Sequence, residues 1–126
     1  MDRHLKLGDH FICDLSDCDR GLLLDSDRSR ELFTQAIRDS GLTIVSEGYY
    51  QFSPHGFTCF LLLAESHASL HAWPEHGYCA IDLFTCSLEM DIQPVVQKLK
   101  TLFGSGHCSV RKVNRMAEVF PEKELT

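Results

Sequence analysis

The segment from Ala64 to Cys86, AESHASLHAWPEHGYCAIDLFTC, concentrates the reactive side chains of this chain: three of its seven His, its single Trp and two of its six Cys. Three kinds of chemistry compete for it. His67 and His71, four apart, would share one face of a helix and could hold a metal with Cys86 or Glu75. The local pattern is extended, however, and residues four apart on a strand sit about 13 Å from each other, too far for one ion. No metal is therefore expected. A second reading is structural, a strand and turn whose polar groups are simply satisfied. A third is catalytic, because His and Cys both move protons near neutral pH. A serine-hydrolase elbow of the GxSxG kind is absent. Residue chemistry alone leaves these readings open.

The elements that must position these groups follow from periodicity. His10 to Leu15 alternates Phe11, Cys13 and Leu15, a half-buried strand, and Ser16 to Arg20 reads as a loop. Asp25, Ser26 or Asp27 caps a helix to about Asp39 with Leu32, Phe33, Ala36 and Ile37 on one stripe, ended by Gly41. Leu42 to Phe52 reads as a strand, Ser53-Pro54-His55-Gly56 as a turn, and Phe57 to Ala64 as a central strand. Ser66 to Ala72 is a short extended segment broken at Pro74, followed by a strand from Gly77 to Thr85. Asp91 caps a second helix carrying Ile92, Val95, Val96, Leu99, Leu102 and Phe103. Gly104 and Gly106 end it, Cys108 to Val113 forms a last strand, and the tail from Ala117 frays. The expected fold is an α+β two-layer sandwich, an antiparallel sheet with two helices on one face. The apolarity of Phe57 to Ala64 implies that the other face is covered by a second copy of the chain.

Length and composition bound the rest. With 126 residues, 44% apolar and 24% charged, the chain is expected to form one domain spanning 1–126 with a proper core. A net charge of −6 argues against nucleic acid as a partner, and the cluster Arg111, Lys112 and Arg115 reads as a solvated strand edge. The longest apolar run, Phe57 to Ala64, is far short of a membrane span, and no apolar stretch follows Met1 to His4 as a secretory leader requires. The cysteines, without any CxxC and partly within apolar strands, read as reduced cytoplasmic thiols.

The string from Glu65, ESHASLHAWPEHGYCAIDLFTC, resembles the prokaryotic S-adenosylmethionine decarboxylase family, whose signature is close to ESHxxIHTWPExGYxAxDxFTC. The departures are Leu70 for Ile, Ala72 for Thr and Leu83 for Val or Ile. Upstream, Gln51 to Gly56 resembles the family's QFSPxG, and His10 to Asp19 resembles its first strand and the Cys-Asp after it. The resemblance implies a proenzyme that cuts itself between Glu65 and Ser66 into chains 1–65 and 66–126. An N→O acyl shift followed by elimination would turn Ser66 into a pyruvoyl group, the only cofactor required. That ketone forms a Schiff base with the substrate amine and acts as the electron sink for decarboxylation. By the same resemblance, His71 removes the Ser66 α-proton during processing and Cys86 returns a proton to the substrate carbon. Thr58, where the family often has Ser, assists processing by hydrogen bonding. Thr58, Phe52, Trp73 and Glu75 are the residues expected near the ligand. The protomer is expected to pair into a homodimer, and the product would donate aminopropyl groups for spermidine synthesis. The same machinery could serve another amino acid, arginine or ornithine. Ser16 in place of Tyr and Ser87 in place of Gly are the departures that bear on this choice. A non-processing regulatory homologue is the remaining alternative.

Overall fold

In the computed structural model, which describes residues 3–87 and 90–120, alternation of apolar and polar side chains builds one six-stranded antiparallel sheet. Its strands are β1 (His4–Ser16), β2 (Ile44–Gln51), β3 (Phe57–Leu63), β4 (Ser66–Trp73), β5 (Tyr78–Thr85) and β6 (His107–Glu118). They lie in the order β2-β3-β4-β5-β1-β6. The helices are α1 (Arg20–Leu24), α2 (Ser26–Asp39) and α3 (Gln93–Leu102), with a single 3-10 turn at Pro74–His76. Residues that alternate along the strands, among them Phe11, Cys13, Leu15, Phe57, Cys59, Leu61, Ala68, Leu70, Cys79, Ile81 and Leu83, join Phe33, Ile37, Val96 and Leu99 of the helices in one buried core. The helix stripes expected from spacing thus face the sheet.

Among the described residues no helix covers the opposite face of the sheet, and Phe60, Leu62 and Trp73 are large apolar groups left exposed. Phe33 is fully buried and remote from that face. Phe33→Ala is expected to destabilise the fold by about 3–5 kcal/mol through lost transfer energy and a cavity. The effect should be read as a lower urea midpoint at unchanged slope.

The structure departs from the sequence reading in several places. The loop expected at Ser16 to Arg20 is present as the link 17–19, but the residues after it form α1, whose first turn is capped by Asp19 Oδ1 accepting from the Leu22 N–H at 3.1 Å. A third helix is thereby added to the expected two. The short extended segment after Ser66 is a full central strand, hydrogen-bonded to β3 and β5 along its length. Helix α3 starts at Gln93 with Ile92 at its cap position, while Asp91 still accepts from the Gln93 N–H at 3.1 Å. Both β1 and β6 are longer than expected, because they pair with each other from His4↔Glu118 to Ser16↔His107. The tail expected to fray from Ala117 is therefore strand to Glu118, and 121–126 lie outside the described residues. Arg111, Lys112 and Arg115 lie on β6, an edge strand, as read from the sequence. All six cysteines are free thiols. Among the described residues no helix is long and apolar enough to cross a membrane.

Candidate active site

Two residues, Ala64 and Glu65, connect β3 to β4, and the structure pins them from three sides. The Ala64 N–H donates to the Thr43 carbonyl at 2.9 Å. The Thr43 N–H donates to Glu65 Oε1 at 3.0 Å, which holds the Glu65 carboxyl below the usual carboxylate range. The Glu65 carbonyl oxygen accepts twice from Cys86, from its N–H at 3.1 Å and from its Sγ–H at 2.7 Å. This convergence is a consequence of register. β4 and β5 pair from Ser66↔Thr85 to Trp73↔Tyr78, so the hairpin returns residue 86 to residue 65. Cys86 is the exposed thiol of the six, whereas Cys13, Cys18, Cys59 and Cys79 are buried. Burial pushes the Cys59 thiol up to about 11 and is the main cause that takes Cys13 to about 12. Those four thiols behave as core. Ser66, half-buried at the head of β4, sets its Oγ 3.4 Å from His67 Nδ1.

The far end of β4 builds a second centre. Thr58 pairs with His71 across β3 and β4, and Thr58 Oγ1 lies 2.8 Å from His71 Nδ1. The His71 ring packs on Trp73 at 6.0 Å between centroids, and Trp73 on Tyr78 at 5.4 Å. Tyr78 donates to Asp14, and that hydrogen bond, with burial, pushes its hydroxyl up to about 12. A cavity of about 230 Å³ opens here, with Phe52, His55, Gly56, His71, Trp73 and Glu75 in its walls. The Phe52 N–H closes the turn onto the Gly56 carbonyl at 2.8 Å. Gly56 has φ +101° and a Cβ there would meet the Ala72 carbonyl at 3.1 Å, so a side chain at this position would be strained. Glu75 Oε2 is 2.5 Å from His55 Nε2.

The structure thus brings Phe52, Trp73 and Glu75 together with His71 in one cavity, and Glu65, Ser66 and Cys86 together at one turn. Thr58, expected near the ligand, is not a wall of the cavity and instead bonds His71 from behind. His71 does not meet Ser66 within the protomer. Five residues of strand separate them, about 16 Å at the usual rise. Two residues of these centres had no such role in the sequence reading, which weighed His67 only as a metal ligand. His55 had no signal beyond its place in a turn. His67 stood directly after Ser66, and the strand start puts its ring within reach of the hydroxyl. Among the described residues no group of three or more His, Cys, Asp or Glu converges as a metal centre.

The family model described as S-adenosylmethionine decarboxylase matches residues 9–116, a stretch that contains both centres. The chain belongs to that family. A relative named S-adenosylmethionine decarboxylase proenzyme from Acidithiobacillus ferrooxidans is 36% identical over 110 residues, covering 87% of this chain and 83% of the relative. One of the same name from Fervidobacterium nodosum is 38% identical over 105 residues, 83% of this chain and 77% of the relative. The crystal structure of the adenosylmethionine decarboxylase from Aquifex aeolicus superposes with a TM-score of 0.79 at 32% identity, covering 96% of this chain and 98% of that one. The resemblance read from Glu65 to Cys86 thus extends over nearly the whole fold of an S-adenosylmethionine decarboxylase.

Proposed function

We propose that this chain is a proenzyme that cleaves itself between Glu65 and Ser66 and then decarboxylates S-adenosylmethionine. The two products of cleavage are residues 1–65 and 66–126, and the reactive group is a pyruvoyl made from Ser66. The observation that carries this reading is the double donation from Cys86 to the Glu65 carbonyl. In a member of this family, the bond before Ser66 is the one whose carbonyl is polarised and held. Two donors on one carbonyl oxygen stabilise the oxyanion that forms when a hydroxyl adds to it. The pinned turn suits formation of the pyruvoyl group, which, once made, supplies a carbonyl electrophile that draws electrons from the bond to the departing carboxylate. Cys86 then stands beside the new head of the 66–126 chain, placed to deliver a proton to the substrate carbon. In the cavity, the rings of Phe52 and Trp73 offer faces for adenine, and the Glu75 carboxylate suits ribose hydroxyls or the sulfonium charge.

The working unit is a homodimer, in cytoplasm that keeps the six thiols reduced. The open sheet face, with exposed Phe60, Leu62 and Trp73, is the surface that a second copy covers. This also resolves the separation of about 16 Å between His71 and Ser66: each His71, steadied by Thr58, serves the partner subunit's Ser66. The direct test of the function is intact mass, which should show two chains with a pyruvoyl-blocked second one. It is paired with CO2 release from S-adenosylmethionine against arginine and ornithine. Release from either of the latter alone would overturn the substrate.

His71→Ala is expected to stall maturation at the ester, because the ester persists until the Ser66 α-proton is removed. Hydroxylamine should split the stalled protein at Glu65–Ser66. Co-expression of His71→Ala with Ser66→Ala should restore cleavage of the His71→Ala chain, since each mixed dimer offers its Ser66 an intact His71 from across the interface. Absence of restoration in demonstrated mixed dimers would count against the shared arrangement.

A further inference from the structure

Self-cleavage begins with a proton that the His71 of the same protomer is too far away to take, while the His71 offered across the interface has the later α-proton as its task. For the acyl shift, the Ser66 hydroxyl must lose its proton as Oγ adds to the Glu65 carbonyl carbon. The Ser66 nitrogen must then gain a proton as it leaves. Cys86 supplies the oxyanion donors but no acceptor. The Glu65 carboxylate is close in sequence, yet it is tied to the Thr43 N–H and held in its ionised form, which makes it a poor base. His71 of the same protomer lies about 16 Å along the strand, and in either copy its Nδ1 is engaged by Thr58.

One ring remains. His67 Nδ1 is 3.4 Å from Ser66 Oγ, and its setting fixes it there. The ring stacks on Phe60 at 5.6 Å and 22°, and on Phe84 at 5.6 Å and 35°. Phe84 is in turn fixed by His10, edge-on at 6.1 Å, and by the Arg115 guanidinium at 5.5 Å. It also lies over Gly8, where a Cβ would come within 2.8 Å of its ring. A base clamped between two aromatic rings, a few tenths of an ångström outside hydrogen-bond range, needs only a small closure to act.

We propose that His67 is the general base of the first processing step, the acyl shift, and that it is distinct from the base of the second. This rests on the self-cleavage reading above. The Ser66 hydroxyl proton passes to His67 Nδ1, which requires the tautomer protonated at Nε2. The Oγ–C bond to Glu65 forms while the Cys86 N–H and Sγ–H hold the oxyanion. The C–N bond then breaks, and His67 returns the proton to the Ser66 nitrogen. One amide becomes one ester and one amine, with no net proton and no co-reactant. His71 acts only afterwards, on the α-proton.

The test separates the two stages. His67→Phe keeps a ring between Phe60 and Phe84 but has no nitrogen, and His67→Ala leaves a gap that free imidazole can enter. Both should cleave at least about a hundredfold more slowly than the wild-type chain, the lower range for loss of a general base. The uncleaved His67→Phe chain should resist hydroxylamine, because it still holds an amide. The His71→Ala chain should not. Added imidazole should speed cleavage of His67→Ala. Urea midpoints matching that of uncleaved Ser66→Ala show that the variants are folded. Wild-type maturation of His67→Phe, a hydroxylamine-labile ester in that variant, or no response of His67→Ala to imidazole overturns the assignment. A wild-type chain that stays intact overturns instead the self-cleavage reading on which it rests.

Discussion

Ser66→Ala is expected to remain a single chain of 126 residues and to release no CO2 from S-adenosylmethionine above background. The effect is all-or-none because, in the proposed function, one oxygen does two jobs. It is the nucleophile of the acyl shift, and its departure from Cβ as part of the ester carboxylate creates the reactive carbonyl. Alanine at this position leaves an ordinary amide, and the donors from Cys86 then polarise a carbonyl that nothing attacks. The fold should be indifferent. Ser66 is half-buried at the head of β4, and its only hydroxyl contact among the described residues is the long one to His67 at 3.4 Å. A substitution that touches so little changes stability by less than about 1 kcal/mol. Intact mass and a urea melt together check both halves. A split Ser66→Ala chain would remove Ser66 from the chemistry altogether.

How much of this was legible beforehand depends on whether the information was local. The pairing of Glu65 with Cys86 is written in the sequence, since two strands of eight residues around a Pro-initiated turn bring residue 86 back to residue 65. β4 itself was under-read, because its open face carries His67, Ser69, His71 and Trp73, which dilute the apolar signal of Ala68, Leu70 and Ala72. β6 was cut short for a related reason. It is an edge strand with little buried surface, and its length is set by β1 rather than by its own residues. The cavity was not legible from spacing at all. Phe52, Trp73 and Glu75 come from separate elements, and only the family resemblance grouped them. The same resemblance joined His71 to Ser66, and strand arithmetic separates them within one protomer. The distance between them follows from the sequence, whereas the proposal of a second copy that closes it needs the exposed apolar face of the folded sheet.

Cys86→Ser should separate the two reactions, since the proposed function gives Cys86 a part in both. During maturation its contribution is the pair of donors on the Glu65 carbonyl. Serine keeps the N–H and offers an O–H in place of the S–H, so cleavage should slow modestly and still reach completion. Cys86→Ala loses the side-chain donor, and removal of one oxyanion donor costs about 10²–10³ in rate. It should therefore mature far more slowly than Cys86→Ser. Decarboxylation makes a different demand. After CO2 departs, a proton must reach the substrate carbon, and a thiol is a far stronger acid than an alkyl hydroxyl. Turnover of matured Cys86→Ser should fall by about 10²–10⁴, the usual weight of a general acid. Slower delivery to the substrate carbon also gives the competing site more time. A proton that lands on the carbon contributed by Ser66 lets water release the decarboxylated substrate as an aldehyde, which leaves its nitrogen behind in an alanine at the head of the 66–126 chain and ends activity. Mass spectrometry of that chain after turnover should show the conversion accumulating in Cys86→Ser faster than in wild type. Normal turnover with an unaltered head group would mean that the proton comes from another residue, and would leave Cys86 only its part in holding the Glu65 carbonyl.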